Sequence, residues 1–241
     1  MPPSGPPGCS VIPATIMVGC VTGPEDTRVA TDTVKEAWEH FSIGGEKVGL
    51  IYRYTRQAGR EIEGIVINVF GMGGQIMAFR HDHTYRRGEG LPDWSGYRFQ
   101  HPDGTVSVKR SGDNLTITTA SGSRTVAGTD DAIPSYLTYA VVPLAVVRGP
   151  VTVSEMTDGE PDERERVTYR SLGPDAGNGG LIKVVQYRDG EPGNGFWLQD
   201  DEILKSDWGG AVSTRAEGPA AARTGLPPGV EEAFERIRSS P

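Results

Sequence analysis

Between residues 36 and 126 the chain is cut by turn residues about every ten positions. The cuts are Gly44-Gly45, Ala58-Gly59, Gly71-Met72-Gly73-Gly74, Pro102-Asp103-Gly104, Ser111-Gly112-Asp113-Asn114 and Ser121-Gly122. Glycine reaches the positive φ of tight hairpins, and Pro-Asp-Gly fixes φ, caps and then reverses the chain. Between cuts the side chains alternate. From Lys47 to Arg56, Val48, Leu50, Tyr52 and Tyr54 share one face, while Lys47, Arg53 and Thr55 share the other. From Gln75 to Arg86, Met77, Phe79, His81, His83 and Tyr85 share one face. The opposite face, with Arg80, Asp82 and Arg86, is expected in solvent with cross-strand ion pairs. Short alternating runs joined by tight turns predict antiparallel strands in sequence order. Gly at 33 and Pro at 18 carry this punctuation along the whole chain, which disfavours long helices.

The same reading covers the rest of the chain. Val34 to Ile43 is the opening strand, with a helix over residues 34–40 as the alternative; Gly44-Gly45 favours a hairpin. Pro134 to Val147 breaks the rhythm as the longest apolar stretch, with Pro143 inside it. It reads either as a short helix to Tyr139 or Val141 followed by extended chain, or as a strand, and in both cases as a connector buried against the inner face of the sheet. Strands resume at Val151, and the acidic run from Asp158 to Glu165 reads as a flexible tip. Val230, Ala233, Phe234 and Ile237 recur at helical spacing.

The predicted fold is therefore all-β with minor α: a large curved antiparallel meander, half-barrel-like, with a buried connector and a short C-terminal helix. Residues 1–33 read as a disordered leader and 34–215 as a single β-rich domain, with two lobes meeting near 128–148 as the alternative. Residues 216–241 read as a linker and short helix.

A net charge of −8 without a basic run argues against binding a phosphate backbone, so no nucleic-acid partner is expected. Both cysteines, Cys9 and Cys20, precede the folded body, which excludes a disulfide framework or a Cys-based zinc site within that body. No apolar run approaches the ~20 residues of a membrane-spanning helix.

Val11 to Gly19 is a modest apolar segment, and Met17-Val18-Gly19-Cys20 resembles a bacterial lipoprotein processing site, although the basic residues that usually open such a leader are missing. That resemblance implies lipidation at Cys20 and a tether over 21–33; the alternative is a leader with an incidental cysteine. Three further pieces carry a second resemblance: Trp38 with Gly44-Gly45-Glu46-Lys47-Val48-Gly49, the connector with Pro134 and Tyr136-Leu137, and the hairpin Phe196-Trp197-Leu198-Gln199-Asp200-Asp201-Glu202-Ile203-Leu204-Lys205. Together they resemble uncharacterised β-rich cell-envelope or lipoprotein domains of bacteria, found alone or before transglutaminase-like domains in planctomycete-type bacteria. Glu202 stands where that closing hairpin often has Gly. The resemblance implies a long curved sheet at the cell envelope, lipid-anchored or secreted, and brings no catalytic residues. The cytoplasm is the alternative location.

His81 and His83 form the only metal-ligand-like spacing. Alternate strand positions place both imidazoles on one face, ~7 Å apart at Cα, and His101, His40 or Glu36 could supply a third ligand to a divalent transition metal. The other reading is two half-buried histidines bonded to their neighbours. No Gly-x-Ser-x-Gly elbow is present. Tyr52, Tyr54, Phe79, Tyr97, Phe99, Tyr136 and Tyr139 are expected to line one concave face that the connector plugs or that keeps a cleft for an amphipathic ligand. The expected role is non-catalytic binding of an amphipathic small molecule, a lipid or an envelope protein, with membrane contact only through a lipid anchor. A metal-dependent enzyme using His81 and His83 and a purely structural domain are the alternatives.

Overall fold

The structure is a computed structural model and describes residues 32–240. The Cys20 lipidation site and the leader up to residue 31 lie outside them. Eight hairpin-linked strands come first: β1 (Thr33–Ile43), β2 (Glu46–Ala58), β3 (Glu61–Met72), β4 (Gln75–Arg86), β5 (Asp93–His101), β6 (Gly104–Ser111), β7 (Asn114–Thr119) and β8 (Gly122–Ala127). A short β9 (Ala132–Pro134) leads through a 3-10 turn at Ser135–Leu137 into helix α1 (Thr138–Arg148). Six more strands follow: β10 (Val151–Met156), β11 (Arg164–Asp175), β12 (Leu181–Arg188), β13 (Glu191–Gln199), β14 (Glu202–Asp207) and β15 (Ala211–Arg215). Helices α2 (Pro219–Arg223) and α3 (Val230–Arg238) close the chain.

All fifteen strands belong to one sheet, in the order β8-β7-β6-β5-β4-β3-β2-β1-β15-β14-β13-β12-β11-β10-β9. Each pairing is antiparallel except that of β9 with β10. β1 joins the two meanders: it pairs with β2 on one side and with β15 on the other, His40 opposite Thr214. The two edges of the sheet, β8 and β9, are neighbours in sequence. The four residues between them, 128–131, reach at most roughly 18 Å. Fifteen flat strands about 4.8 Å apart would hold those edges about 67 Å apart. The sheet must curl until its edges approach, and side chains bridge the gap. Arg124 on β8 pairs with Asp162 at 2.6 Å, Arg164 donates to the Ala127 carbonyl, and Trp94 on β5 donates to the Ala132 carbonyl at 2.7 Å. The predicted all-β curved antiparallel sheet is observed, curled further than a half-barrel.

The curled sheet buries apolar side chains on both of its faces. Inside, Tyr97, Phe99, Val106, Val108, Leu115 and Ile117 meet α1 and the inner residues of β9–β14. Outside, Leu50, Tyr52, Ile67 and Val69 of β2 and β3 pack with Trp38 under α2 and α3, against Ala222, Val230, Ala233, Phe234 and Ile237. Arg80 belongs to this outer layer and is not solvated as its alternation suggests. It is 9% exposed, and its Nη1 donates to the carbonyls of Ile237, Arg238 and Ser240 at 3.1, 3.1 and 2.6 Å. A cation at a helix C-terminus satisfies carbonyls that have no helical partner.

The connector also departs from expectation. α1 continues through Pro143 to Arg148 instead of ending near Tyr139 or Val141. Pro143 has no N–H for the Tyr139 carbonyl, a loss that ordinarily costs about 3 kcal/mol. Burial of Leu137, Val141, Val142 and Ala145 inside the sheet offsets it.

Candidate functional site

Strand register sets the inner lining. Arg53, Val66, His81, Phe99 and Val106 lie opposite one another across β2–β6 on the inner face. The next inner row holds Thr55, Gly64, His83, Tyr97 and Val108. Residues one position away point to the outer layer. Of the predicted concave-face aromatics, Phe79, Tyr97 and Phe99 are therefore brought together inside, with Phe79 stacked on Phe99 at 6.0 Å. Tyr52 and Tyr54 are not. They face the C-terminal helices, where Tyr52 packs edge-on to Phe234 at 5.9 Å and donates to Glu36 at 3.1 Å. The grouping failed because both faces of β2 are apolar enough to be buried, so alternation separates the faces without saying which is inner.

His81 and His83 are 8% and 9% exposed, both pointing inward. His81 stacks on Phe99 at 4.5 Å, and His83 lies 4.7 Å from the Tyr136 ring. His83 fits because residue 64 is glycine: a Cβ there would sit 2.1 Å from His83 Nε2. Burial, reinforced by the charge of Arg53, pushes the His81 pKa down to about 3. Burial, then His81 and Arg53, does the same for His83. Both imidazoles are neutral at physiological pH. His101 stacks on Phe99 at 5.1 Å and turns its Nδ1 toward Asp103, accepting from that backbone N–H at 3.3 Å. Glu36 is on the outer face. Among the described residues no three His, Cys, Asp or Glu side chains converge as a metal site, so the expected triad of His81, His83 and His101 does not assemble.

The connector and the acidic segment complete the site. Tyr136 reaches between His81, His83 and Tyr97, with ring centroids 5.0, 4.7 and 5.3 Å away. Asp158, which the sequence places in a flexible acidic tip, instead turns into the same space. Ser135 Oγ donates to its Oδ1 at 2.5 Å, Tyr97 donates to its backbone carbonyl at 3.2 Å, and its Oδ2 lies 3.6 Å from His81 Nε2. Burial raises its pKa to about 6, against the hydrogen bond from Ser135.

His81, Ser135, Tyr136 and Asp158 border a partly open cavity of about 270 Å³ inside the curl. Ile51, Val66, Tyr136, Tyr139, Phe196 and Trp208 give it an apolar and aromatic wall; Arg53, Asn68, His81, Ser135, Thr138, Glu155, Asp158 and Asn194 give it polar positions. Arg53 is paired with Glu39 at 2.7 Å, and its guanidinium lies 3.2 Å from the Tyr139 ring centroid. Burial opposes the Arg53 charge, but Glu39 and Tyr139 outweigh it and raise the pKa. Glu155 accepts from Tyr169 and Gln186, both at 2.7 Å, and burial raises its pKa against the Tyr169 hydrogen bond. Three polar atoms of lining residues are buried without a protein partner: Asn68 Oδ1, His81 Nδ1 and the Tyr136 hydroxyl.

A second cavity of about 230 Å³ lies where α1 meets the ends of β1 to β4. Lys35, Gln57, Tyr85 and Arg87 border it, with Tyr139, Ala140, Pro143 and Leu144 of the helix. Tyr139 borders both cavities. Ser135 Oγ is hydrogen-bonded to the Asp158 carboxylate, and among the described residues no imidazole is hydrogen-bonded to it.

Sequence reasoning found the histidines and, of the aromatics, Phe79, Tyr97, Phe99, Tyr136 and Tyr139. It missed Arg53, Ser135, Asp158 and Phe196 as parts of one site, because strand pairing and the connector bring them together over more than a hundred residues. The one local signal was an arginine on an otherwise semi-apolar strand at position 53.

No family model and no curated protein matches this chain. Two solved structures resemble it in fold. One is a β-barrel-like protein of the domain of unknown function DUF1849 from Brucella abortus, with a TM-score of 0.44 and 10% identity over 78% of this chain and 95% of that chain. The other is a DUF1089 family protein from Pseudomonas aeruginosa, with a TM-score of 0.41 and 10% identity over 66% of this chain and 89% of that chain.

Proposed function

We propose that this protein is a non-catalytic binding module of the cell envelope and that the interior cavity takes an amphipathic small molecule. One observation carries the reading: a cavity inside the curl has an aromatic and apolar wall with the polar side chains of Arg53, Asn68, His81, Ser135 and Asp158 set along it. Apolar walls with a few convergent polar groups are the usual make-up of small-molecule sites. The envelope location rests on the Met17-Val18-Gly19-Cys20 pattern and on the resemblance of the opening and closing hairpins to envelope domains.

Two measurements test this. Organic extraction of protein purified from its natural host, followed by mass spectrometry, is expected to release one amphipathic compound in near-stoichiometric amount; extracts indistinguishable from buffer contradict the binding role. Metabolic labelling with a fatty-acid analogue is expected to tag the full chain and not Cys20→Ser. Labelling of neither protein contradicts the lipid anchor.

A further inference from the structure

We propose that the polar group recognised in the interior cavity is a cationic amine, held by the Asp158 carboxylate. The inference rests on the reading of this cavity as a ligand site and adds the charge of the ligand.

The charged groups around the cavity are not equally satisfied. Arg53 is matched by Glu39 at 2.7 Å and covered by Tyr139. Glu155 accepts two hydrogen bonds and has Arg188 at 3.8 Å. His81 and His83 are neutral. Asp158 is faced by the Ser135 hydroxyl at Oδ1 and, at Oδ2, by the neutral His81 at 3.6 Å, beyond hydrogen-bonding distance. Its side chain keeps 21% exposure on a residue that borders the cavity. A carboxylate in such a place is costly until a cation or donors reach it.

Asp158 Oδ2 is the carboxylate oxygen left without a hydrogen bond, and it belongs to a residue of the lining. An ammonium group has three donors and no acceptor. A carboxylate ligand would instead meet Asp158 as a like charge. The aromatic wall of Tyr136, Phe196 and Trp208 suits the apolar body of such an amine and attracts its charge. The volume, roughly nine waters at about 30 Å³ each, fits a monoamine with a short apolar body.

The test uses three probes with the same apolar body: phenethylamine, phenethyl alcohol and hydrocinnamate. Each is titrated into the full chain and followed by backbone amide NMR at about pH 7.5, above the raised pKa of Asp158 and below that of an alkylamine. Phenethylamine is expected to shift the amides of residues 135–139 and Asp158, saturably, and to bind about tenfold tighter than the alcohol. Asp158→Asn, whose spectrum reports whether it folds, is expected to remove that preference and keep alcohol binding. Ser135→Ala, which leaves the carboxylate in place, is expected to retain it. Alcohol binding equal to the amine, tighter binding of hydrocinnamate, or an amine preference unchanged in Asp158→Asn overturns the amine inference and leaves the cavity reading standing. No saturable shift at these residues with any probe overturns both.

Discussion

The Arg53 guanidinium lies over the Tyr139 ring, its Cζ 3.2 Å from the centroid, with the Glu39 carboxylate 2.7 Å away. This contact ties β2 to α1 inside the sheet and sets the position of the one side chain shared by the two cavities. Glu39 is 3% exposed, so its charge depends on Arg53. Arg53→Met is expected to lower stability by about 3 kcal/mol, the usual effect of leaving a buried partner charge unpaired. The double variant Arg53→Met with Glu39→Met is expected to recover most of that loss. Urea denaturation of the two proteins checks this; equal losses would show that the pair is not a buried, interdependent unit.

Acid should weaken the fold through its histidines. His81 and His83 have folded-state pKa values of about 3, against 6.5 when unperturbed. Between these values the unfolded chain binds more protons than the folded one, so stability falls as pH drops below about 6.5 and the loss levels off near 3. Asp158, raised from 3.8 to about 6, acts oppositely in its narrower window and offsets part of one histidine's contribution. The urea midpoint is expected to be lower at about pH 4.5 than at about pH 7.5, with a shallower dependence in His81→Phe, which keeps a ring against Phe99. An unchanged slope in that variant would mean that His81 is not held neutral.

Gly64 has a close-approach role. A methyl group at this position would overlap the His83 ring, which Tyr136 confines from the other side. Gly64→Ala is expected to cost about 1–3 kcal/mol by overpacking, a larger loss than Gly218→Ala, where nothing lies within 4 Å of the added atom. Thermal melts of the two variants check the order.

Arg80 fixes the C-terminal helix to the outer face. Arg80→Ala removes donors to three carbonyls at the end of α3 and is expected to cost about 2 kcal/mol. Hydrogen exchange is expected to speed up first in Val230–Arg238, while the inner residues of β5–β7 stay protected. Uniform loss of protection would mean that α3 and the inner core unfold together.

The turn spacing made the sheet legible, since Gly44-Gly45, Gly73-Gly74 and Gly112 supply the positive φ that their hairpins need. Alternation correctly put His81 and His83 with Phe79. It could not rank the two faces of β2, because Tyr52 and Ile51 are both buried, one beneath α3 and the other inside the curl. Nor could it recover Asp158. Among five acids between residues 158 and 165, nothing local distinguishes the one that Ser135 and Tyr97 draw inward. The connector's helix was obscured by Pro143, a residue whose usual effect is overridden here by burial.

The interior cavity is proposed as a binding site. Native mass spectrometry of the purified protein, beside an Asn68→Phe variant that fills the cavity and replaces an unpartnered polar atom, tests it most directly. One small-molecule adduct is expected on the unmodified protein and none on Asn68→Phe, with both folded. Identical spectra from the two proteins, with or without an adduct, would contradict it.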